Sequence, residues 1–124
     1  MARLALNGNG RFVSLAAIAR IESIPAGYLE KVLTKLEKSG FVRAKKGSSG
    51  GYRLARPARK ITIGQVLCHL ENQATLVRCI DDRGRYSCPN KRQCVTKSLW
   101  QKVQAAVGKY LFSITLDDVV KKNL

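Results

Sequence analysis

A helical stripe that stops at a glycine and runs straight into a basic hairpin leaves few architectures open to this chain. Leu29, Val32, Leu33 and Leu36 recur at i, i+3, i+4 and i+7, the spacing of one helix face, and Gly40 closes the run. Tyr28, Glu30, Lys31, Thr34, Lys35 and Lys38 fall on the other faces. Next come Phe41-Val42-Arg43-Ala44-Lys45-Lys46, then Gly47-Ser48-Ser49-Gly50-Gly51, then Tyr52-Arg53-Leu54-Ala55, which read as two short strands about a glycine-rich turn. Alternation sends Val42, Ala44, Tyr52 and Leu54 toward the core and leaves Arg43, Lys45, Lys46 and Arg53 for solvent or a partner.

Upstream, Ser14 suits the N-cap of a helix that places Leu15, Ile18 and Ala19 on one face, and Ile21 to Ile24 read as a short turn. Pro25 fits the first turn of the striped helix. Leu4, Ala5 and Leu6 read as the last turns of an incomplete first helix that ends at Asn7-Gly8, where Gly8 can take a left-handed cap. Downstream, Thr62 caps a helix striped by Ile63, Val66, Leu67 and Leu70. From about Thr96 to Phe112 a long helix carries Leu99, Val103, Ala106, Val107, Tyr110 and Leu111, and Thr115 opens a short last helix through Val119 and Val120. The fold expected is mostly α with a small β-hairpin wing: a winged helix-turn-helix plus a long dimerisation helix. It divides into residues 1–72 for the winged unit, 73–95 for a cysteine loop, and 96–124 for the long and terminal helices.

In a winged helix-turn-helix the second helix of the motif enters the major groove. A formal net charge of +15, from 23 Lys and Arg against 8 Asp and Glu, favours a polyanionic partner. Double-stranded DNA satisfies both. The candidate contacts are Pro25, Gly27, Tyr28, Glu30, Lys31 and Lys35 on the helix, with Lys45, Lys46, Gly47, Ser48 and Arg53 on the hairpin. Gly27 permits close backbone approach, and Tyr28 and Lys31 donate to phosphates or base edges. A carboxylate is unfavourable in a phosphate-rich groove unless it accepts from a cytosine amino group, so Glu30 is expected to discriminate rather than to add affinity. No long apolar span is present and the opening residues are too short for an export signal, so the chain is expected in the cytoplasm, off the membrane. An enzyme is disfavoured by a single histidine and by the lack of a phosphate-binding glycine loop. A single-strand RNA reader is disfavoured by few aromatics and no large sheet.

Four cysteines, Cys68, Cys79, Cys88 and Cys94, are expected as reduced thiols in such a chain. Cys68 sits in an apolar helical pattern and reads as a small buried hydrophobe. The other three share one polar loop, where a core role explains them poorly. Thiolates select zinc or iron–sulfur; the spacing does not choose the metal, although the paired C-x2-C knuckles of zinc ribbons are missing, which favours iron–sulfur.

The order of elements resembles the IscR/NsrR/CymR-type regulators, also called the Rrf-two family. The resemblance rests on Tyr28-Leu29-Glu30, Gly50-Gly51-Tyr52, Ile63-Gly64-Gln65-Val66, the Cys79, Cys88 and Cys94 loop, Leu99-Trp100 and Ile114-Thr115-Leu116, and it covers nearly the whole chain. It implies a DNA-operator-binding homodimer whose long helices form the interface, with a [2Fe-2S] or [4Fe-4S] cluster on the three cysteines tuning operator binding. Two departures stand out. Relatives begin with more turns of first helix, and Lys97 stands where some carry a histidine as fourth ligand. The cluster is therefore expected to be labile, and often absent, in this N-terminally short chain, with Asp81, Asp82 or an external thiol as substitutes for the fourth ligand. His69 reads as packed or solvated. The alternative is a cluster-free regulator controlled by thiol oxidation or by a partner protein.

Overall fold

Helices α2, α4 and α6 start where the sequence supplies a side chain that accepts from their free backbone N–H groups. The computed structural model describes residues 1–8, 10–71, 77–80 and 87–124. In chain order these contain α1 (Ala2–Leu6), α2 (Leu15–Glu22), α3 (Ala26–Lys38), β1 (Val42–Lys45), β2 (Gly51–Leu54), a 3-10 turn (Ala58–Lys60), α4 (Ile63–Glu71), a second 3-10 turn (Arg78–Ile80), α5 (Lys97–Ser113) and α6 (Leu116–Lys121). Ser14 Oγ accepts from the Ala17 N–H at 3.2 Å and opens α2. Thr62 and Gln65 cap α4 reciprocally, at 3.2 and 3.1 Å, and Thr115 with Asp118 does the same for α6. The long helix differs: Thr96 stands at its N-cap position, but its side chain makes no cap bond there.

Helix α3 ends in a Schellman turn. The Phe41 N–H donates to Leu36 O at 2.9 Å and the Gly40 N–H to Glu37 O at 2.9 Å, with Gly40 at φ +74. Strands β1 and β2 then pair antiparallel, Val42 with Leu54, Arg43 with Arg53, Ala44 with Tyr52 and Lys45 with Gly51. Tyr52 also exchanges two backbone bonds with Val13, at 2.8 and 2.9 Å, which ties the hairpin to the segment between α1 and α2.

The core draws on α1, α2, α3, β1, α4 and α6 and the turns beside them: Leu4, Ile18, Leu29, Leu33, Leu36, Phe41, Val42, Ile61, Val66 and Leu116. Three details depart from the sequence reading. Gly8 does not take the left-handed conformation; its N–H closes a tight turn on Ala5 O at 3.2 Å, and Gly10 takes φ +68 instead. Ala44 is exposed, because the hairpin projects past the helical layer after Val42. Within the expected cysteine loop, Arg78–Ile80 form a helical turn and Ile80 is buried.

Two backbone bonds seat α5 on the winged unit: the Ile63 N–H donates to Ile114 O at 2.9 Å and the Leu116 N–H to Ile61 O at 2.8 Å. No residue of α5 is buried, and Leu99 and Tyr110 are each 55% exposed.

A methyl group added at Gly40 would meet only the end of the Arg56 side chain, at an ordinary 3.5 Å, so the cost of Gly40→Ala is conformational. Unfolding free energy is expected to fall by about 1 kcal/mol for alanine in the left-handed region, and by less for Gly40→Asn. Urea unfolding of the two variants measures this, and an unchanged midpoint in Gly40→Ala would remove the conformational argument.

Candidate functional site

Burying Leu29, Leu33 and Leu36 turns the opposite side of α3 outward. Pro25, Gly27, Tyr28, Glu30, Lys31 and Lys35 are all exposed there, Tyr28 at 65%. The side chains of Tyr28, Glu30, Lys31 and Lys35 make no hydrogen bond or ion pair among the described residues; the Glu30 backbone carbonyl accepts from Thr34 Oγ1 at 2.8 Å. An added Cβ at Gly27 would meet nothing within 4 Å.

The hairpin supplies a second exposed set, Arg43, Lys45, Lys46, Gly47 and Ser48. Lys45 Nζ lies 5.6 Å from the centre of the Phe12 ring. Arg53 differs from its neighbours. It is half-buried, donates from Nη1 to Gly10 O at 3.1 Å and lies 4.8 Å from the same ring, so part of its donor capacity is used within the fold. Burial, reinforced by the carboxylates of Glu30 and Glu37, pushes the Tyr52 phenol above its ordinary value and keeps it neutral.

All four cysteines are free thiols and half-buried. Cys68 lies in α4, Cys79 in the second 3-10 turn, and Cys88 and Cys94 between that turn and α5. Among the described residues no three His, Cys, Asp or Glu side chains converge where a metal ion could be held. Asp81 and Asp82 lie outside the described residues. His69 is turned elsewhere: its Nδ1 lies 2.7 Å from Gln65 O and its ring stands edge-on to Phe41 at 5.0 Å. Thiols suit an iron–sulfur centre in chemistry and three of them would give three of its four usual ligands, but among the described residues they are not gathered into a finished cradle.

Cys94 is set apart by its neighbours. Its Sγ lies 3.5 Å from Thr96 Oγ1. The Thr96 hydroxyl, then its backbone N–H, hold the thiol below its ordinary pKa; the Lys97 N–H and ammonium act in the same direction, and the slight burial of the sulfur opposes them. Lys97 therefore favours the thiolate where the sequence had only excluded it as a ligand. The sequence reading also missed Arg56, which reaches back from the end of β2 to the end of α3. Its only signal was an arginine just past the returning strand.

Comparison with known proteins gives a consistent result. A family model described as Rrf2, iron-dependent transcriptional regulator, matches residues 1–122. The transcriptional regulator IscR of Vibrio campbellii is 32% identical over 123 residues, 99% of this chain and 71% of the relative. Among solved structures, CymR, the global cysteine regulator of B. subtilis, superposes with a TM-score of 0.76 at 30% identity, covering 98% of this chain and 87% of that one. IscR of T. potens gives 0.74 at 31% identity, covering 99% and 79%. No described helix is long and apolar enough to cross a membrane.

Since hydrogen bonds from Thr96 favour the Cys94 thiolate, Thr96→Val is expected to slow alkylation of Cys94 by iodoacetamide at pH 7, where the thiolate is the reacting form. The gap should close as pH rises through the ordinary thiol range, because both proteins are then fully ionised. Peptide mapping by mass spectrometry reads the rates, and equal rates at pH 7 would show that Thr96 does not set the reactivity.

Proposed function

Because the chain belongs to the Rrf2 family of transcriptional regulators, we propose that it is a cytoplasmic homodimer that binds a double-stranded DNA operator and senses its signal through Cys79, Cys88 and Cys94. The observation that carries this reading is the exposed face of α3. Among the described residues Tyr28, Glu30, Lys31 and Lys35 make no side-chain hydrogen bond or ion pair, beside a hairpin tipped by Lys45, Lys46, Gly47 and Ser48, on a chain of net charge +15.

Each residue has a role that follows from its chemistry. Pro25 and Gly27 bring the backbone at the start of α3 close to the duplex; Tyr28 and Lys31 donate to phosphates or base edges, and Lys35 to phosphate. Glu30 accepts from a cytosine amino group and disfavours sites without one. Lys45 and Lys46 meet the phosphates that flank the wing, where Gly47 and Ser48 allow the tip to approach a minor groove. Arg53 adds its remaining donors from the root of the wing.

The dimer is supported by the apolar stripe of α5. Leu99 and Tyr110 are exposed, Val103, Val107 and Leu111 are half-buried, and a second copy would cover them. In this reading residues 1–72 bind DNA, 73–95 sense, and 96–124 dimerise. Cys79, Cys88 and Cys94 are the side chains that would hold an iron–sulfur cluster, whose gain, loss or oxidation supplies a change of charge and geometry beside the N-terminus of α5. A second reading, direct oxidation of thiols with no cluster, is favoured by Cys94, whose surroundings stabilise the thiolate.

The regulator reading is tested by enriching duplexes from a random pool on the purified protein. The enriched sequences should be pseudo-palindromic, with half-sites about one helical turn or a multiple apart, and affinity should fall steeply with salt. Val107→Glu should give monomers by sedimentation and remove the preference for paired half-sites. A pool with no enrichment would overturn the reading, and an intact dimer in Val107→Glu would move the interface elsewhere.

The sensor is tested by visible absorption and Mössbauer spectra after anaerobic purification. Cys88→Ser should abolish an iron–sulfur chromophore and Cys68→Ala should keep it, because a cluster on three thiolates of one segment fails when any of them is removed. A colourless wild-type protein whose operator affinity responds to peroxide would favour the thiol reading, and a chromophore lost with Cys68 would place the site elsewhere.

A further inference from the structure

Arg56, although exposed, is a cation that the structure ties to the end of the recognition helix. It lies two residues beyond β2. Its Nε donates to Gly40 O at 3.0 Å and its Nη2 to Ser39 O at 3.2 Å. Ser39 and Gly40 are the residues at which α3 terminates, so one guanidinium satisfies carbonyls at the helix C-terminus and complements the negative end of its dipole. The same group stacks over Phe41, with its central carbon 4.7 Å from the ring centre. Lysine offers one point charge and no plane, and cannot bond two carbonyls while stacking in this way.

We propose that Arg56 is a positioning residue for operator recognition, which holds the wing at a fixed angle to the recognition helix. The inference rests on the DNA-binding reading given above. The hairpin has two roots. One is joined to the segment before α2 by the Val13–Tyr52 pair and by the bond from Arg53 to Gly10. At the other, the hairpin ladder closes with the Ala55 N–H to Phe41 O, at 3.0 Å, and Arg56 joins it to the end of α3. From root to tip each strand rises about 10 Å, so a tilt of roughly 10° at the root displaces the tip by about 2 Å. Hydrogen bonds to phosphate tolerate only a few tenths of an ångström. Recognition helix and wing must engage one duplex together, so their mutual angle enters affinity for a matched site far more than for a random one. Arg56 itself need touch no nucleotide.

The experiment compares the full-length wild type, Arg56→Ala and Arg56→Lys on two probes: the duplex enriched by the wild-type protein, and a scrambled duplex of the same length and composition. Fluorescence anisotropy over a range of salt, hydroxyl-radical footprinting and thermal melting by circular dichroism are the readouts. Both variants should keep the helical spectrum, since the Schellman turn and the Ala55–Phe41 bond remain. Affinity for the enriched duplex should fall on the order of tenfold in Arg56→Ala, with the scrambled duplex and the salt slope unchanged and protection lost at the wing segment of the footprint. Arg56→Lys should follow alanine although it keeps the charge. An equal loss on both duplexes with the salt slope lowered by about 1 would make Arg56 a direct phosphate contact and overturn the proposal. A lowered melting temperature with wild-type discrimination retained where both proteins are folded would also overturn it, by reducing Arg56 to a stabilising residue. A wild-type protein that enriches no duplex overturns the regulator reading itself, whereas the first two outcomes leave that reading standing.

Discussion

The ring of Phe41 is the joint on which the arrangement of the winged unit depends. It is 1% exposed, held edge-on by His69 of α4 and covered by the guanidinium of Arg56. Its backbone is equally committed: the N–H closes α3 on Leu36, and the carbonyl receives the N–H of Ala55 as the second strand leaves the hairpin. One residue therefore fixes where the helical period ends, where the strand period begins, and how α4 lies beneath both. Burial of a phenylalanine is worth about 3–5 kcal/mol by the cost of its truncation, against a total stability of about 5–15 kcal/mol for a domain of this size. A single residue of that weight at a junction sets geometry as well as stability, because no neighbouring contact can replace it.

A second joint connects this unit to the cysteines. The paired backbone bonds between Ile61–Ile63 and Ile114–Leu116 pin the C-terminal end of α5 beside the start of α4. At Gly64 the helices approach so closely that an added Cβ would lie 2.6 Å from the Phe112 ring. The long helix is thus anchored at one end, next to the winged unit, while its other end begins three residues after Cys94. Seventeen residues of helix span about 25 Å, stiff enough to carry a change at the thiols toward the anchored end. If the cysteines sense as proposed, this helix would act as a lever whose fulcrum is the pair of backbone bonds, and a dimer contact along α5 would set the direction in which it moves.

Local chemistry made much of this legible in the sequence. Ser14, Thr62 and Thr115 cap the helices they were expected to cap because a cap is a contact between residues three apart, and Gly40 ends α3 because only its own φ is at issue. What escaped depends on distant partners. The Val13–Tyr52 pair joins residues 39 positions apart, and Ile80 is buried within a run whose composition reads as polar loop. The basic residues were the hardest case. Among the cations of the hairpin and its exit the sequence gives no reason to separate Arg53 and Arg56, which are tied back to backbone carbonyls, from Arg43 and Lys46, whose side chains make no hydrogen bond or ion pair among the described residues. For the cysteines the sequence supplied the chemistry of the donors but not their placement, since spacing along a chain does not establish convergence in space.

The distribution of the few acidic residues makes the charge argument sharper than a net value does. Two of them are paired outside α3 and the wing: Glu22 with Arg3 at 2.7 Å, and Asp117 with Lys121 at 2.7 Å. A third, Asp118, is held ionised first by the Thr115 hydroxyl and then by its backbone N–H within a helix cap. These three carboxylates serve ion pairs and a cap outside α3 and the hairpin, whereas α3 itself carries Glu30 and Glu37. A chain of net charge +15 repels itself and gains from a polyanion that lowers its field. Against that background Glu30 is informative, because on a helix face that meets DNA as proposed, a carboxylate with no side-chain partner among the described residues would lower affinity for every sequence that cannot satisfy it. A protein selected only to adhere to nucleic acid would gain by losing it; one that must reject most sites gains by keeping it.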